Sequence, residues 1–235
     1  MNDAADGKGT VPEERTGSAA RYYKKDFWSE ENLKFSRPHY RLEKAARIID
    51  KVAQGRECTL LDVGCGPATL MRLLPANIQY YGIDMAIHDP APNLIEADLL
   101  KTPIGFAGKR FDIIVAQGVF EYLGDFQSQK FAEIAEILKE NGTFIVSYWN
   151  YGHRNKKVYW AHSHVQSIDE FRASLVRHFN VDRLFPASHN WYHGSPSVKL
   201  NKAINMHINM HIPFISPVLA VEYFFLCSPL ASRPA

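Results

Sequence analysis

The chain has 235 residues, with 27 Lys and Arg against 25 Asp and Glu, a formal net charge of +2. Apolar residues make up 46% and charged residues 22%, which excludes a wholly disordered or collagen-like chain and gives no global nucleic-acid signal. Three cysteines, at 58, 65 and 227, show neither metal-type spacing nor a disulfide framework, so reduced thiols and a cytoplasmic location are expected.

Residues 1–20 are small and polar and lack an apolar core, which predicts a disordered leader rather than a signal peptide. A stretch rich in aromatics follows (Tyr22, Tyr23, Phe27, Trp28, Phe35), and Leu42, Ala45, Ala46, Ile49 and Val52 then recur at helical spacing. Residues 58–63 (CTLLDV) read as a central strand, and 67–74 as a helix with proline in its first turn. Residues 78–83 read as a second strand and 93–96 as a short third. Residues 111–116 (FDIIVA) are apolar on consecutive positions, as a strand buried on both faces should be. Residues 125–139 present Phe126, Phe131, Ile134, Ala135 and Leu138 on one helical face, ended by Asn141-Gly142, and 143–148 form a fifth strand. Ser167 and Glu170 make a capping box for a helix to His178, before strands at 180–185 and 220–227. The longest apolar stretch, 212–227, contains Pro213, Pro217 and Glu222 and falls short of the roughly 20 residues a membrane span needs.

Strands alternating with helices predict an α/β fold: a Rossmann-like, seven-stranded, mostly parallel sheet with helices on both faces. Ligands of such sheets bind beyond the carboxyl ends of the strands. After the first strand come Asp62, Gly64, Cys65 and Gly66, and paired glycines let the backbone turn sharply against a ligand. Asp84 follows the second strand, 20 residues after Gly64, where an acid can bond both hydroxyls of a ribose. A carboxylate there repels a 2′-phosphate, so a free 2′-hydroxyl is implied. Asp98 follows the third strand and suits an adenine amino group. A dinucleotide site would place a third glycine where Thr69 stands, which disfavours a nicotinamide-dependent oxidoreductase.

These residues resemble the class I S-adenosylmethionine-dependent methyltransferases. The carrying motifs are Leu61-Asp62-Val63-Gly64-Cys65-Gly66, Gly82-Ile83-Asp84, Ala97-Asp98-Leu99, and Phe111-Asp112-Ile113-Ile114-Val115 running into Gly118-Val119-Phe120-Glu121-Tyr122-Leu123. The resemblance spans about 42–148. It implies S-adenosylmethionine as cofactor and S-adenosylhomocysteine as product. It also implies cofactor contacts from Asp62, Gly64, Cys65, Gly66, Asp84, Met85, Asp98, Leu99 and Gln117, with Cys65 filling the turn by its small size. Arg41 resembles an arginine that pairs with the methionine carboxylate in some relatives. The implied organisation is a leader (1–20) and one methyltransferase domain (21–235). That domain divides into an N-terminal lid and helix (21–55), a cofactor core (56–148) and a substrate-facing remainder (149–235).

Transfer from a sulfonium is an in-line displacement, so positioning does most of the work and no metal is needed. Relatives often carry Glu-His where this chain has Glu121-Tyr122, so no catalytic base is assigned. Glu121, Tyr122, Trp149 and His193 are candidates to line the acceptor site. His207 and His211 would share a face only on a continuous helix, and the sequence places no third ligand. Arg154-Asn155-Lys156-Lys157 is a short basic tract that a solvated loop explains. The expected acceptor is a small polar or aromatic molecule, methylated on O, N or C. Alternatives are a protein or RNA methyltransferase and a non-catalytic cofactor-binding protein.

Overall fold

A computed structural model describes residues 40–106, 108–152, 165–189 and 198–230. The aromatic segment before Tyr40, His193 and the basic tract at 154–157 lie outside the described residues. Seven strands run β1 (Cys58–Val63), β2 (Ile78–Asp84), β3 (Leu94–Glu96), β4 (Phe111–Ala116), β5 (Leu138–Trp149), β6 (Phe179–His189) and β7 (Ala220–Pro229). They form one sheet in the order β3-β2-β1-β4-β5-β7-β6. Strands β3 to β5 pair in parallel, while β7 inserts antiparallel between β5 and β6. The start of β7 therefore lies beside the carboxyl ends of β5 and β6, with Glu222 opposite Trp149 and Ala220 opposite His189.

The helices are α1 (Tyr40–Ala53), α2 (Gln127–Ile137), α3 (Ile168–Leu175), α4 (Val198–His207) and α5 (Ser216–Leu219). One sheet face is covered by α1, whose Ala45, Ala46, Ile49 and Ala53 join Leu60, Tyr80, Ile113, Val115 and Phe224 in a core. Phenylalanines dominate the other face. Phe120 stacks on Phe131 with centroids 4.4 Å apart, and Tyr148 stacks on Phe171 at 3.9 Å. Both capping-box hydrogen bonds of Ser167 and Glu170 are present at the start of α3. No helix among the described residues is long and apolar enough to cross a membrane.

Several boundaries differ from the sequence expectation. Residues 67–74 do not form an α-helix; Thr69–Leu73 make a 3₁₀ turn instead. Ala68 before it sits at a left-handed φ of 52°, and Leu74 after it is extended with ψ 146°, as a residue preceding Pro75 prefers. The chain thus lacks the continuous right-handed backbone a helix needs there. The break at Asn141-Gly142 falls inside β5, which starts at Leu138 because Leu138 pairs with Phe111 ahead of a register shift. Lys139 adds an ion pair to Asp112 at 2.8 Å. The expected helix to His178 ends at Leu175, and β6 runs on from 185 to His189. Between β6 and β7 the chain forms α4 and α5.

Candidate functional site

The carboxyl ends of β1, β2 and β4 open onto a cleft of about 130 Å³. Its floor is the glycine turn. Gly64 N–H and Cys65 N–H both donate to Ile83 O, at 2.8 and 3.3 Å, stitching the turn to the end of β2. Gly64 has φ +74°, and a Cβ there would lie 2.2 Å from Val119 Cγ2; only glycine lets the turn pass under the loop after β4. Cys65 is buried beneath the turn. A Cβ on Gly82 would come within 2.8 Å of its sulfur, so the thiol fills the space that Gly82 leaves. Burial pushes that thiol far up, which makes it filler rather than nucleophile.

Asp84 ends β2 at the cleft wall. Gly66 N–H donates to its Oδ2 at 2.8 Å and Ala86 N–H to its Oδ1 at 3.1 Å. Burial raises this carboxyl, while the backbone donors Gly66, Ala86 and Met85 act to lower it. Each carboxylate oxygen offers about two lone pairs, so the backbone bonds leave acceptor capacity for a diol. Met85, Leu99 and Leu100 give that end of the cleft apolar walls, and Asp98 lies among them. Asp98 Oδ1 also accepts from Leu100 N–H at 3.0 Å, closing the turn after β3.

Asp62 does not line the cleft. It is buried under the turn and accepts from Tyr80 Oη at 2.8 Å. Burial pushes its carboxyl up to about 7, and the Asp84 charge adds to the rise. Its part is to brace the turn through Tyr80, on the α1 side of the sheet.

Gln117, Gly118, Val119, Tyr122 and Leu123 form the opposite wall, on the loop after β4. Ser147 Oγ on β5 accepts from Gly118 N–H at 3.1 Å and holds this loop against the sheet. Neither Oε1 nor Nε2 of Gln117 has a hydrogen-bond partner among the described residues, although both are shielded from solvent.

Of the acceptor-side candidates, Tyr122 lines the cleft, but Glu121 is wholly buried and does not. Glu121 Oε1 accepts from Trp149 N–H at 2.9 Å, tying the loop after β4 to the end of β5. Burial pushes this carboxyl up to about 8, reinforced by the neighbouring Glu222 charge and opposed by Arg41. Arg41 Nη2 donates to Glu222 Oε1 at 2.8 Å, and Nε lies 2.6 Å from Oε2. A Cβ on Gly118 would sit 3.5 Å from Arg41 Nη2, so the guanidinium backs the cleft wall. It also lies 5.8 Å from the centroid of the Trp149 ring. His211 follows the end of α4 and contacts Tyr223 Oη through Nδ1 at 3.3 Å, so it does not share a helical face with His207. No three His, Cys, Asp or Glu side chains converge on a metal-sized site among the described residues.

Sequence reasoning missed two buried charges. Lys44 is 1% exposed and donates to the carbonyls of Pro186, Ala187, Asn205 and Ile208 at 2.8–3.1 Å. Its ammonium is lowered to about 8 by burial, which the Glu222 charge partly opposes. Glu222 itself has no exposed surface. Both carried a legible signal: Lys44 falls on the apolar stripe of α1, and Glu222 interrupts the apolar run AVEYFFLC.

A family model described as a methyltransferase domain matches residues 38–189. No match was found among curated proteins. Similar solved structures include a methyltransferase from Haloferax volcanii in complex with the Trm112 activator. It is 14% identical, with TM-score 0.61, over 89% of this chain and 97% of its own. An S-adenosylmethionine-dependent methyltransferase from Archaeoglobus fulgidus gives TM-score 0.59 at 14% identity, over 85% and 97%. The N-methyltransferase NodS from Bradyrhizobium japonicum, bound to S-adenosylhomocysteine, gives 0.57 at 11% identity, over 86% and 94%. At these identities the likeness is one of fold, and the family match reaches from just before α1 to the end of β6, well over half the chain. With the glycine turn, the strand-end acids and the sheet order in place, the chain belongs to the class I S-adenosylmethionine-dependent methyltransferases.

Proposed function

We propose that this chain transfers the methyl group of S-adenosylmethionine to an O, N or C atom of a small polar or aromatic acceptor. The observation that carries the reading is the locked glycine turn with Asp84. Gly66 N–H and Asp84 are bonded to each other at 2.8 Å, and together they make a rigid edge with unused acceptor capacity. Asp84 would take the ribose hydroxyls, Asp98 the adenine amino group, and Met85 and Leu99 the faces of the base. The cofactor supplies an electrophilic methyl group on a cationic sulfur that departs as a neutral thioether. The chain's own part is to orient and to exclude water. Val119, Tyr122 and Leu123 close one wall, and the Ser147 and Glu121 hydrogen bonds keep that wall fixed to β5. Such preorganisation is what an in-line displacement needs.

Tyr122 is the cleft residue placed to meet the acceptor; Trp149 and His193 remain candidates from the sequence for the same side. The balanced charge supports a small acceptor over RNA. Cys58, Cys65 and Cys227 are all free thiols, which supports a reducing, cytoplasmic setting. Titration calorimetry with S-adenosylmethionine, S-adenosylhomocysteine and NAD tests the reading. Binding of both sulfur ligands and not NAD is expected, and Asp84→Ala should weaken them by about 1–3 kcal/mol. Failure of the wild-type chain to bind either sulfur ligand would overturn the assignment.

A further inference from the structure

Residues 210–218 turn apolar side chains outward at the end of the sheet that holds the cleft. Phe214 is 93% exposed, and Met210, Pro213, Ile215, Pro217 and Val218 are exposed beside it. Single apolar residues on a surface need no account, but a contiguous set does. The backbone that presents them is held in a costly shape. Phe214 has φ +65°, and Ile215 N–H donates to Pro213 O at 2.8 Å, closing a tight turn around it. That form of the turn is rare and strained, and a bulky side chain seldom enters the left-handed region. The base of the turn is firm. Ser216 is buried, and its Oγ accepts from Ile212 N–H at 2.9 Å and meets His189 Nε2 at 3.2 Å. Asn150, just past β5, donates through Nδ2 to Pro217 O and Ala220 O at 2.9 and 2.8 Å. The fold thus holds the strained tip outward.

Two observations identify what the tip meets. The first is its backbone, which bonds to itself. Ile215 and Ser216 N–H donate to Ile212 O, and Val218 and Leu219 N–H to Ile215 O. Ala220 N–H donates to Ser216 O, and Pro213 and Pro217 have no N–H. A medium without water demands this closure, whereas a partner that adds a strand needs open backbone groups. The second is charge. None of residues 212–219 is charged, and no Asp or Glu occurs from Arg183 to Val221. Lys199, Lys202, His207 and His211 lie on α4 or just after it, Lys202 pairing with Glu43 of α1 at 2.7 Å. An apolar tip beside a segment whose own charges are all positive suits an anionic lipid surface. The run 212–227 is too short to span a bilayer, but seating on a surface needs only about 5–10 Å of burial.

We propose that residues 210–218 are an interfacial anchor, tipped by Phe214, that seats the chain on a lipid surface carrying anionic headgroups. Docked in this way, the chain meets the surface with the cleft end of its sheet. The test is flotation of the full chain, at low ionic strength, with two kinds of vesicle. One is phosphatidylcholine alone and the other phosphatidylcholine with about 30% phosphatidylglycerol. Phe214→Gly is the variant to compare, because glycine accepts the positive φ without strain while deleting the tip. Wild type is expected to float with the anionic vesicles and more weakly with phosphatidylcholine alone. The variant should lose at least about fivefold in partition coefficient, as removal of a buried phenyl group requires. Its melting temperature without vesicles should be unchanged or raised, so that lost binding is not lost folding. A wild-type chain that does not float with anionic vesicles, or a variant that floats equally well, overturns the proposal. Equal wild-type binding to both vesicles overturns the anionic assignment, and a lowered melting temperature overturns the strained turn on which the anchor stands. Sedimentation equilibrium tests the other occupant. A dimeric wild type, a monomeric Phe214→Gly and no flotation of either would make the tip an interface between two copies, which overturns the lipid reading.

Discussion

Replacing Glu121 by glutamine should remove a large pH dependence from the stability while keeping an acceptor for Trp149 N–H. The carboxyl is wholly buried, and burial pushes it from 4.5 up to about 8. A carboxyl raised on folding makes the folded chain bind more protons than the unfolded chain across that interval. Stability therefore falls as pH rises from about 4.5 through 8. Between pH 5 and 8 the shift corresponds to roughly 3–4 kcal/mol lost by the wild type. Two other buried groups titrate nearby. Asp62, pushed up to about 7, acts in the same direction at lower pH. Lys44, lowered from 10.5 to about 8, acts in the opposite direction, since the unfolded chain then binds more protons between those values. Both are present in wild type and in Glu121→Gln, so they cancel in the difference. Urea melts of the two proteins at pH 5, 6, 7 and 8 and constant ionic strength give that difference directly. The wild type should lose stability relative to the variant by about 3 kcal/mol or more over this range. A difference that stays flat within about 0.5 kcal/mol would refute the buried, protonated carboxyl.

Two further outcomes follow from close contacts. Gly64→Ala should cost about 2–4 kcal/mol, part from the left-handed φ of +74° and part from the 2.2 Å approach to Val119 Cγ2. Adding Val119→Ala should recover the steric part only, as denaturant melts of single and double variants would show; an additive double variant would contradict the contact. Lys44→Ala should destabilise the chain by about 2–4 kcal/mol at pH 7, because four carbonyls lose a donor in a dry site. A variant as stable as wild type in urea would show that those carbonyls find water instead.

The parallel half of the sheet was legible because each of its strands is a short apolar run ending in residues with one chemical purpose. Val63 runs into the glycines, Ile83 into Asp84, and Ala116 into Gln117. The 3₁₀ turn at Thr69–Leu73 was not legible, since its helical pattern is ordinary and the deciding feature is the left-handed Ala68, which no propensity predicts. The early start of β5 was hidden for a different reason. Asn141-Gly142 is a strong local breaker, but Leu138 opposite Phe111 and Lys139 beside Asp112 hold the strand on both sides of it. At the site, the turn and the acids carried a pattern in sequence. The role of Glu121 did not, because a buried strut and a cleft carboxylate have the same one-letter code; its full burial and the Trp149 N–H at 2.9 Å separate them.

The buried charges of α1 answer a question its apolar residues leave open. Ala45, Ala46, Ile49 and Ala53 present a small, smooth surface to the sheet. Such a surface is held by area, and area alone distinguishes weakly between positions one turn apart along the helix axis. Lys44 and Arg41 are directional where the alanines are not. The ammonium fits only where four carbonyls converge, from β6 and from the end of α4. The guanidinium fits only opposite Glu222 on β7. A slide of one turn, 5.4 Å, would leave the buried Lys44 and Glu222 unpaired, which is among the costliest errors a core can make. The two ion sites thus fix the register of α1 against β6 and β7. Because Arg41 also touches the Gly118 wall, they fix the distance between α1 and the cleft at the same time. That coupling gives a physical reason for charged residues to occupy positions where apolar ones would bind more simply.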